Sequence, residues 1–232
     1  MNVSLKTGYS IGVATKDDRE AIWSIFLEAF GTDDLWKCLT RNVVNTKDLF
    51  PWLIEQMAPR YETPDVTVFK IYENSSRKIV AWGAIQTPWK YLKPDQAELL
   101  RTKAATFNPP PTIEGMDSEI LAQIEKSIYV ARLFGYNPEN DYHRRGSMIL
   151  PGYQKMGFGT YLMQVCNQIC DAKGDLQWAR SRPSSLTLFK KMGYVEKGNL
   201  DTGLKRLGGS DEKSSIPILV RYPAVPGSEI LF

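Results

Sequence analysis

The sequence is poor in the residues that build metal and disulfide sites. It has one histidine and three cysteines in 232 residues, and an odd number of cysteines does not form a disulfide framework. Cys166 and Cys170 lie one helical turn apart, a spacing typical of packing and unlike the C-x-x-C pattern of zinc sites. We therefore expect neither a disulfide scaffold nor a bound metal.

A strong net charge and long apolar runs are also missing. The formal net charge is +3, which does not favour a nucleic-acid partner. No stretch is long and apolar enough to span a bilayer, and residues 1–10 lack the apolar core of a signal peptide. Hydrophobic content of 43% is that of an ordinary globular protein. We expect a cytoplasmic monomer or homodimer without membrane or nucleic-acid partners, and a single domain over residues 1–232.

Apolar periodicity predicts strands that alternate with helices. A first strand at residues 9–13 is followed by a capping box, Thr15 and Asp18, and by helical spacing up to Gly31. Further strands are predicted at residues 66–72, 79–85, 142–150, 176–181, 194–197 and 216–222. Further helices are predicted within 32–59, around 121–131, after 159 up to Gly174, and at 184–192. This pattern is typical of an α/β fold with a mixed central sheet of about six or seven strands flanked by helices.

Residues 87–115 interrupt this alternation. The segment contains Pro88, Pro94 and the run Pro109-Pro110-Pro111, which cannot continue a helix or a central strand. We expect an irregular surface loop that acts as a binding loop or lid. In the strand before it, Gly83 predicts a bulge or a close approach of backbone.

The most informative stretch is residues 147–161. A strand-like run ends at Leu150, and two glycines, Gly157 and Gly159, precede an amphipathic helix. Glycines at a strand-to-helix turn allow close approach to a ligand, and the first N–H groups of the helix attract phosphate. Neither G-x-G-x-x-G nor the nucleotide P-loop is present. The stretch predicts a pyrophosphate site; the alternative is a glycine-rich turn that only joins strand to helix.

Two motifs carry a family resemblance. Gln154-x-x-Gly157-x-Gly159 resembles the acetyl-CoA pyrophosphate loop, Q/R-x-x-G-x-G/A, of the GNAT acetyltransferases. The stretch S-L-T-L-F-K-K-M-G-Y, which ends at Tyr194, resembles the C-terminal GNAT motif A-x-x-L-Y-E-K-L-G-F. The motifs occur in the order and at the separation usual in that family. The proline-rich segment and a basic hairpin tail also resemble GNAT proteins of filamentous fungi.

The resemblance implies the GNAT fold, with fourth and fifth strands that splay apart, and transfer of an acetyl group from acetyl-CoA to an amine. It implies that a loop holds the pyrophosphate through Gln154, Lys155, Met156, Gly157, Phe158, Gly159 and Thr160. It implies that the pantetheine arm pairs with Met148, Ile149 and Leu150 and packs on Phe189. A backbone N–H near Ile149 or Leu150 would then polarise the thioester carbonyl.

Two proton transfers complete the expected reaction. His143 is the candidate general base, because histidine titrates near neutrality. The alternative is a surface or hairpin histidine kept neutral by Arg144 and Arg145, and Asp141 is a second candidate base. Phe189 replaces the usual tyrosine and cannot protonate the thiolate, which is stable enough to leave unaided or to take a proton from water. Tyr194 is interpreted as a packing residue.

The acceptor side is less defined. In this fold, several aromatic residues come from segments that border the acceptor side, and a pocket with aromatic walls would suit an apolar or arylalkyl amine. These residues are Trp36, Trp52, Trp82, Trp89 and Tyr91. Trp82 is interpreted as a core residue. Arg180 and Arg182 either reach a phosphate of CoA or line a solvated edge. The resulting hypothesis is a small-molecule N-acetyltransferase. Its alternatives are a non-catalytic acyl-CoA-binding or sensor module and a peptide or protein N-acetyltransferase.

Overall fold

Seven strands form one mixed sheet. The computed structural model describes residues 4–105, 108–207 and 214–224, so part of the basic tail, 208–213, lies outside the described residues. The strands are β1 (Tyr9–Val13), β2 (Val66–Glu73), β3 (Ile79–Gln86), β4 (Tyr142–Ile149), β5 (Gln177–Arg180), β6 (Tyr194–Asp201) and β7 (Ser215–Arg221). Their order in the sheet is β1-β2-β3-β4-β5-β7-β6. Only β4 and β5 are parallel among these neighbours, and the mixed α/β sheet confirms the predicted fold class.

Helices cover both faces of the sheet. They are α1 (Arg19–Phe30), α2 (Asp34–Thr40), α3 (Leu49–Trp52), α4 (Pro94–Ala104), α5 (Ser118–Leu133), α6 (Phe158–Lys173) and α7 (Pro183–Lys191). Within the described ranges, no helix has the length and apolar character needed to cross a membrane. The parallel link between β4 and β5 requires a crossover, and α6 provides it.

The two faces have separate cores. On one face, Phe158 and Leu162 of α6 pack with Ile71 and Val80 of the sheet. On the opposite face, α1, α2, α3 and α5 share a core with Trp82 of β3. The sheet is therefore buried on both sides, which explains why β3 is almost continuously apolar.

β4 and β5 separate after a short paired stretch. Their register covers two positions of the described strands, and the second joins His143 to Trp178. Further along, the pairing of β4 with β3 slips by one residue, which leaves Arg145 as an extra residue beside Gly146. Gly146 has a φ of +142°, a conformation that favours glycine. The bulge and the short pairing open a gap toward the carboxyl ends of the two strands.

The proline-rich segment is more regular than expected. The irregular loop predicted for residues 87–115 is wrong at Pro94–Ala104, which is helix α4; Pro94 stands at the first helical position, where proline is favourable. Ala97 and Leu100 pack with Trp89, and Arg101 pairs with Glu139. The helix therefore lies near the start of β4, away from the glycine loop at its end, and a lid role stays a prediction.

Gly83 lies close to side chains of β4 and α6. A Cβ at this position would lie 2.8 Å from Ser147 Oγ, closer than real Cβ atoms come to another atom. Its pairing with Ser147 of β4 is regular, and the bulge of the β3–β4 pair lies on β4. The close neighbours of this glycine are side chains, those of Ser147 and Leu162, so neither the bulge nor the close approach of backbone that the sequence predicted is found at Gly83.

Candidate active site

The turn between β4 and α6 has a shape fixed by its own residues. Gly157 precedes the helix with a φ of +87°, and Lys155 also has a positive φ, +61°. A side chain at Gly157 would be strained in this conformation. Phe158 is buried, and its ring lies 4.8 Å from that of Tyr9. The glycine backbone and the aromatic contact together hold the start of α6 in place.

The start of α6 has room for a ligand. The N–H groups of Phe158, Gly159 and Thr160 have no acceptor within the helix because they belong to its first turn. A Cβ at Gly159 would meet Ile149 Cδ1 at 3.8 Å, an ordinary contact, and, apart from its chain neighbours and the backbone of its own helix, no other described atom within 4 Å. Packing within the protein therefore does not require glycine there. Free N–H groups, the positive helix end and this space fit a pyrophosphate.

The gap between β4 and β5 presents backbone groups of β4. The Leu150 N–H already donates to the Val80 carbonyl at 2.9 Å. Hydrogen bonds alternate along an antiparallel pair, so the Met148 N–H also faces β3, and Ile149 turns its N–H toward the gap. Of the two donors predicted for a thioester carbonyl, Ile149 is therefore the available one.

His143 lies in β4 at the last position paired with β5, and its exposed fraction is 0%. The surface or hairpin alternative is therefore wrong. Its ring lies 5.0 Å from that of Tyr136. Burial, followed by the positive charges of Arg180 and Arg145, holds the pKa of His143 well below its ordinary value. This direction favours the neutral imidazole that the sequence predicted from Arg144 and Arg145, but burial is the main cause and Arg180 acts in place of Arg144.

Asp141 is engaged in the start of β4. Its carboxylate accepts hydrogen bonds from the Asn137 N–H at 2.8 Å and from Trp178 Nε1 at 3.1 Å. Burial raises the pKa of Asp141 above its ordinary value. These contacts give it a structural role, because they connect the turn that leads into β4, through Asn137, with Trp178 of β5.

Arg180, the last residue of β5, and Arg182, two residues later, bond to the helical side of the molecule. Arg180 donates to the Ile124 carbonyl of α5 at 3.0 Å, and burial lowers its pKa to about 10. Arg182 donates through Nε to Asp33 Oδ2 at 3.1 Å, before α2. The solvated edge that was one interpretation of this pair is wrong, because both side chains connect β5 to the covering helices.

Phe189 is buried beside the gap. Its ring lies 5.0 Å from that of Tyr194 in an edge-on contact. The Tyr194 hydroxyl bonds to Gln177 and, at 3.1 Å, to Asn167, so it is held within the core as the packing interpretation requires. Burial raises the pKa of Tyr194 further above its ordinary value.

A cavity of about 310 Å³ lies between α1 and strands β1–β3, on the face opposite α6. Its walls include Trp23, Tyr61 and Trp82, whose ring centres are 5.3 to 6.1 Å apart. Tyr61 donates its hydroxyl to the Arg145 carbonyl at 2.6 Å, and a Cβ at Gly146 would lie 3.6 Å from the Trp82 ring. Two side chains of the cavity wall, Tyr61 and Trp82, therefore contact the β4 bulge from the side opposite α6.

The aromatic prediction identified one wall of this cavity. Trp82 lines it, whereas Trp36 and Trp52 are buried in the core of that face. Trp89 donates to Asp65, and Tyr91 donates to Asp175, both away from the cavity lining. Sequence reasoning missed Trp23 and Tyr61. Trp23 follows Ile22 in the apolar stripe of α1, a signal of a wide buried face that could have indicated it.

Comparisons with known proteins show the fold. No protein-family model and no curated protein matches this sequence. Among solved structures, the C-terminal condensation domain of Ebony matches with a TM-score of 0.64 and 11% identity, over 92% of this chain and 98% of that one. A mosquito arylalkylamine N-acetyltransferase-like protein matches with a TM-score of 0.58 and 17% identity, over 92% and 99%.

A third structure is the ribosomal-protein-S18-alanine N-acetyltransferase of Escherichia coli. Its TM-score is 0.53 and its identity 12%, over 97% of this chain and 99% of that one. All three matches extend over at least 92% of the present chain. Together with the sheet order and the gap between β4 and β5, these likenesses show that the chain has the fold of the GNAT N-acetyltransferases.

Proposed function

We propose that the protein is an N-acetyltransferase that takes an acetyl group from acetyl-CoA and transfers it directly to an amine of a small molecule. One observation carries this proposal: the open start of α6 adjoins the gap between β4 and β5. Acetyl-CoA, when bound, supplies an acetyl group activated as a thioester. The two features match its two parts, a pyrophosphate and a long neutral arm.

The donor would be held mainly by backbone. The loop from Gln154 to Thr160 and the start of α6 would bind the pyrophosphate, and the exposed Lys155 adds a mobile positive charge. Met148, Ile149 and Leu150 line the adjoining strand, where the Ile149 N–H would bond to the thioester carbonyl. Phe189 would pack on the arm. No covalent intermediate with the protein is needed, because holding amine and thioester together supplies much of the rate.

The cavity supports a small-molecule acceptor. Three aromatic rings line it, and one of them, Tyr61, bonds to the β4 bulge, so an amine held there would approach the gap from the side opposite α6. The mosquito relative is named for arylalkylamines, and the Ebony domain was solved with beta-alanyl-dopamine. An aromatic wall favours an amine with an apolar or aromatic body.

The amine must lose a proton before it reacts, since an alkylamine has a pKa near about 10. His143 stays the predicted general base. Its burial and its lowered pKa make a path through water in the cavity the alternative. A cytoplasmic location, a monomeric or homodimeric state and the likeness to proteins of filamentous fungi also stay predictions.

The test is calorimetry of acetyl-CoA with the wild type, Gly159→Trp and Gln168→Trp. Gly159 has helical surroundings with open space, so a tryptophan there would fill the ligand site without breaking α6. Gln168 is exposed on the same helix about 14 Å further along, at 1.5 Å per residue, and serves as the matched control. We expect Gly159→Trp to weaken binding at least about 100-fold, or about 2.7 kcal/mol, and Gln168→Trp to leave it unchanged.

Three results would redirect the proposal. A folded wild type that does not bind acetyl-CoA would leave the loop as a simple turn between strand and helix. Binding without transfer to any member of an amine library would favour the acyl-CoA-binding or sensor module. Transfer to peptide amines but not to small amines would favour a peptide or protein N-acetyltransferase, the activity for which the Escherichia coli relative is named.

A further inference from the structure

Arg144 lies on β4 at the point where the strand parts from β5. It is the first residue of β4 beyond the last position paired with β5. Its Cζ atom lies 5.9 Å from the centre of the Phe189 ring, and its Nη2 donates to Ser147 Oγ at 2.6 Å. Phe189 belongs to α7, so the guanidinium lies on the α6 and α7 side of the gap. It adjoins the residue that replaces the usual proton donor.

This cation is buried without a counter-ion in the part of the chain that the structure describes. Arg144 has an exposed fraction of 4%, and its Nη1 is buried without a hydrogen-bond partner among those residues. Among the described residues, its side-chain hydrogen bond goes to the neutral hydroxyl of Ser147 and not to a carboxylate. A buried charge that is not compensated costs folding free energy, and an arginine does not lose its proton to avoid that cost. The surroundings of Arg144 therefore favour an anion that arrives with a ligand.

The titratable groups around Arg144 do not supply that anion. Cys166 and Cys170 of α6 and Tyr194 of β6 are all buried, and burial raises the pKa of each, which keeps them neutral. Arg221 of β7 carries its own counter-ion, Asp171, at 2.7 Å. The gap is thus electrically positive at Arg144, next to Phe189.

We propose that Arg144 binds the sulfur of CoA and stabilises it as a thiolate when it leaves. The positive charge of Arg144 takes the place of the proton that a tyrosine at position 189 would donate and that Phe189 cannot. In the transfer, the amine nitrogen forms a bond to the carbonyl carbon and the carbon–sulfur bond breaks. The electron pair of that bond goes to sulfur, and the proton of the amine goes to the general base, either His143 or water. The guanidinium stays protonated throughout. This inference rests on the proposed function, because it assumes that CoA lies in the gap.

The thiol pKa of bound CoA tests it without an acceptor. An alkyl thiol such as cysteine has a pKa of about 8.5. The thiolate is followed by its ultraviolet absorbance as pH is raised, with the complex of desulfo-CoA as the blank for protein tyrosines and cysteines. We expect the thiol pKa in the wild-type complex to lie at least about one unit below that of free CoA. By linkage, CoA affinity then rises about tenfold with pH, and desulfo-CoA affinity does not.

Variants assign the shift to Arg144. Arg144→Met should raise the bound thiol pKa by at least about one unit, and Arg144→Lys, which keeps a charge, should raise it less. Adding Phe189→Tyr to Arg144→Met should lower the pKa again, because a hydroxyl then donates to the thiolate. Arg145→Met is the matched control: it removes the same charge one residue away, but that guanidinium lies over Tyr61 on the cavity side. Arg145→Met should shift the thiol pKa by less than a third of the shift that Arg144→Met causes.

The outcomes separate the two proposals. Wild-type protein that binds CoA with an unshifted thiol pKa would overturn the role of Arg144 and leave the acetyl-CoA site standing. Equal shifts of the thiol pKa in Arg144→Met and Arg145→Met would also overturn it. The shift would then come from the overall positive charge of the region and not from a contact of Arg144 with sulfur. A folded wild type that does not bind CoA would remove the proposed function itself. If Arg144→Met does not fold, the affinities of the wild type for CoA and desulfo-CoA are compared across pH and Arg144→Lys takes its place. Equal pH dependence for the two ligands would overturn the role of Arg144.

Discussion

The two sides of β4 differ in how the chain builds them. On the α6 side, the proposed donor site consists of backbone from one continuous stretch, residues 148–160, with Phe189 and Arg144 beside it. On the opposite side, the cavity is walled by side chains from α1, from the segment before β2, and from β3. A site made of adjacent backbone can be predicted from a short motif. A site made of distant side chains cannot.

This contrast predicts that the two sides can be damaged separately. Removal of a cavity wall should affect stability and acceptor binding while acetyl-CoA still binds. Because β4 and its bulge join the two sides, a variant that affects both would show that they are coupled through that strand. Three variants, ordered by the size of the expected effect, test this separation.

The largest effect is expected for Trp23→Ala. Trp23 is 3% exposed and packs against Phe26, Tyr61 and Trp82, so its loss should cost about 3–5 kcal/mol of unfolding free energy in urea. Trp23→Phe, which keeps a ring, should cost about 1.5 kcal/mol or less. The folded fraction of Trp23→Ala should bind acetyl-CoA within about twofold of wild type. A much weaker affinity would mean that the cavity side supports the donor side.

An intermediate effect is expected from the pH dependence of stability at His143. The pKa of His143 is lowered in the folded protein. Below about pH 6.5, the imidazole is therefore protonated in the unfolded chain but not in the folded one. The contribution of His143 to the free energy of unfolding has its full value above that pH. It falls as pH decreases, by up to about 1.4 kcal/mol per pH unit.

His143→Phe isolates this contribution, because the carboxylates titrate in both proteins. Unfolding in urea between pH 8 and 5 should show wild type losing stability relative to His143→Phe below about pH 6.5. The chain has one histidine, so no other imidazole contributes. If the free energies of unfolding of the two proteins differ by a constant amount between pH 8 and 5, His143 can be protonated in the folded state, as a general base must be.

The smallest effect is expected for Tyr61→Phe. It removes the hydrogen bond to the Arg145 carbonyl at the bulge, which should cost about 1 kcal/mol. Tyr91→Phe is the control, because that hydroxyl bonds to Asp175 from a side chain that is 41% exposed, and its loss should cost a few tenths of a kcal/mol. Equal costs would show that the bulge does not depend on Tyr61, and that the cavity wall and β4 are independent.

Local patterns predicted most elements of the fold. The strands of the sheet and the helices after the glycine loop lie where periodicity indicated, because a buried face imposes its period on the sequence. Helix α4 was missed because Pro94 was counted as a breaker, although it stands at the first helical position. The bulge at Gly146 was not located by sequence, since it depends on the register between β3 and β4.

The glycine loop could be predicted from a short stretch, because the positive φ at Gly157 and the open space at Gly159 depend on residue type and on residues of the same strand and turn. Which charges and rings are buried could not be predicted in this way. His143 and Arg144 are adjacent in β4, yet one faces Tyr136 and the other faces Phe189. Their burial, and hence their chemistry, comes from elements that meet only when the sheet is covered on both faces, since a pKa depends on everything packed around the group.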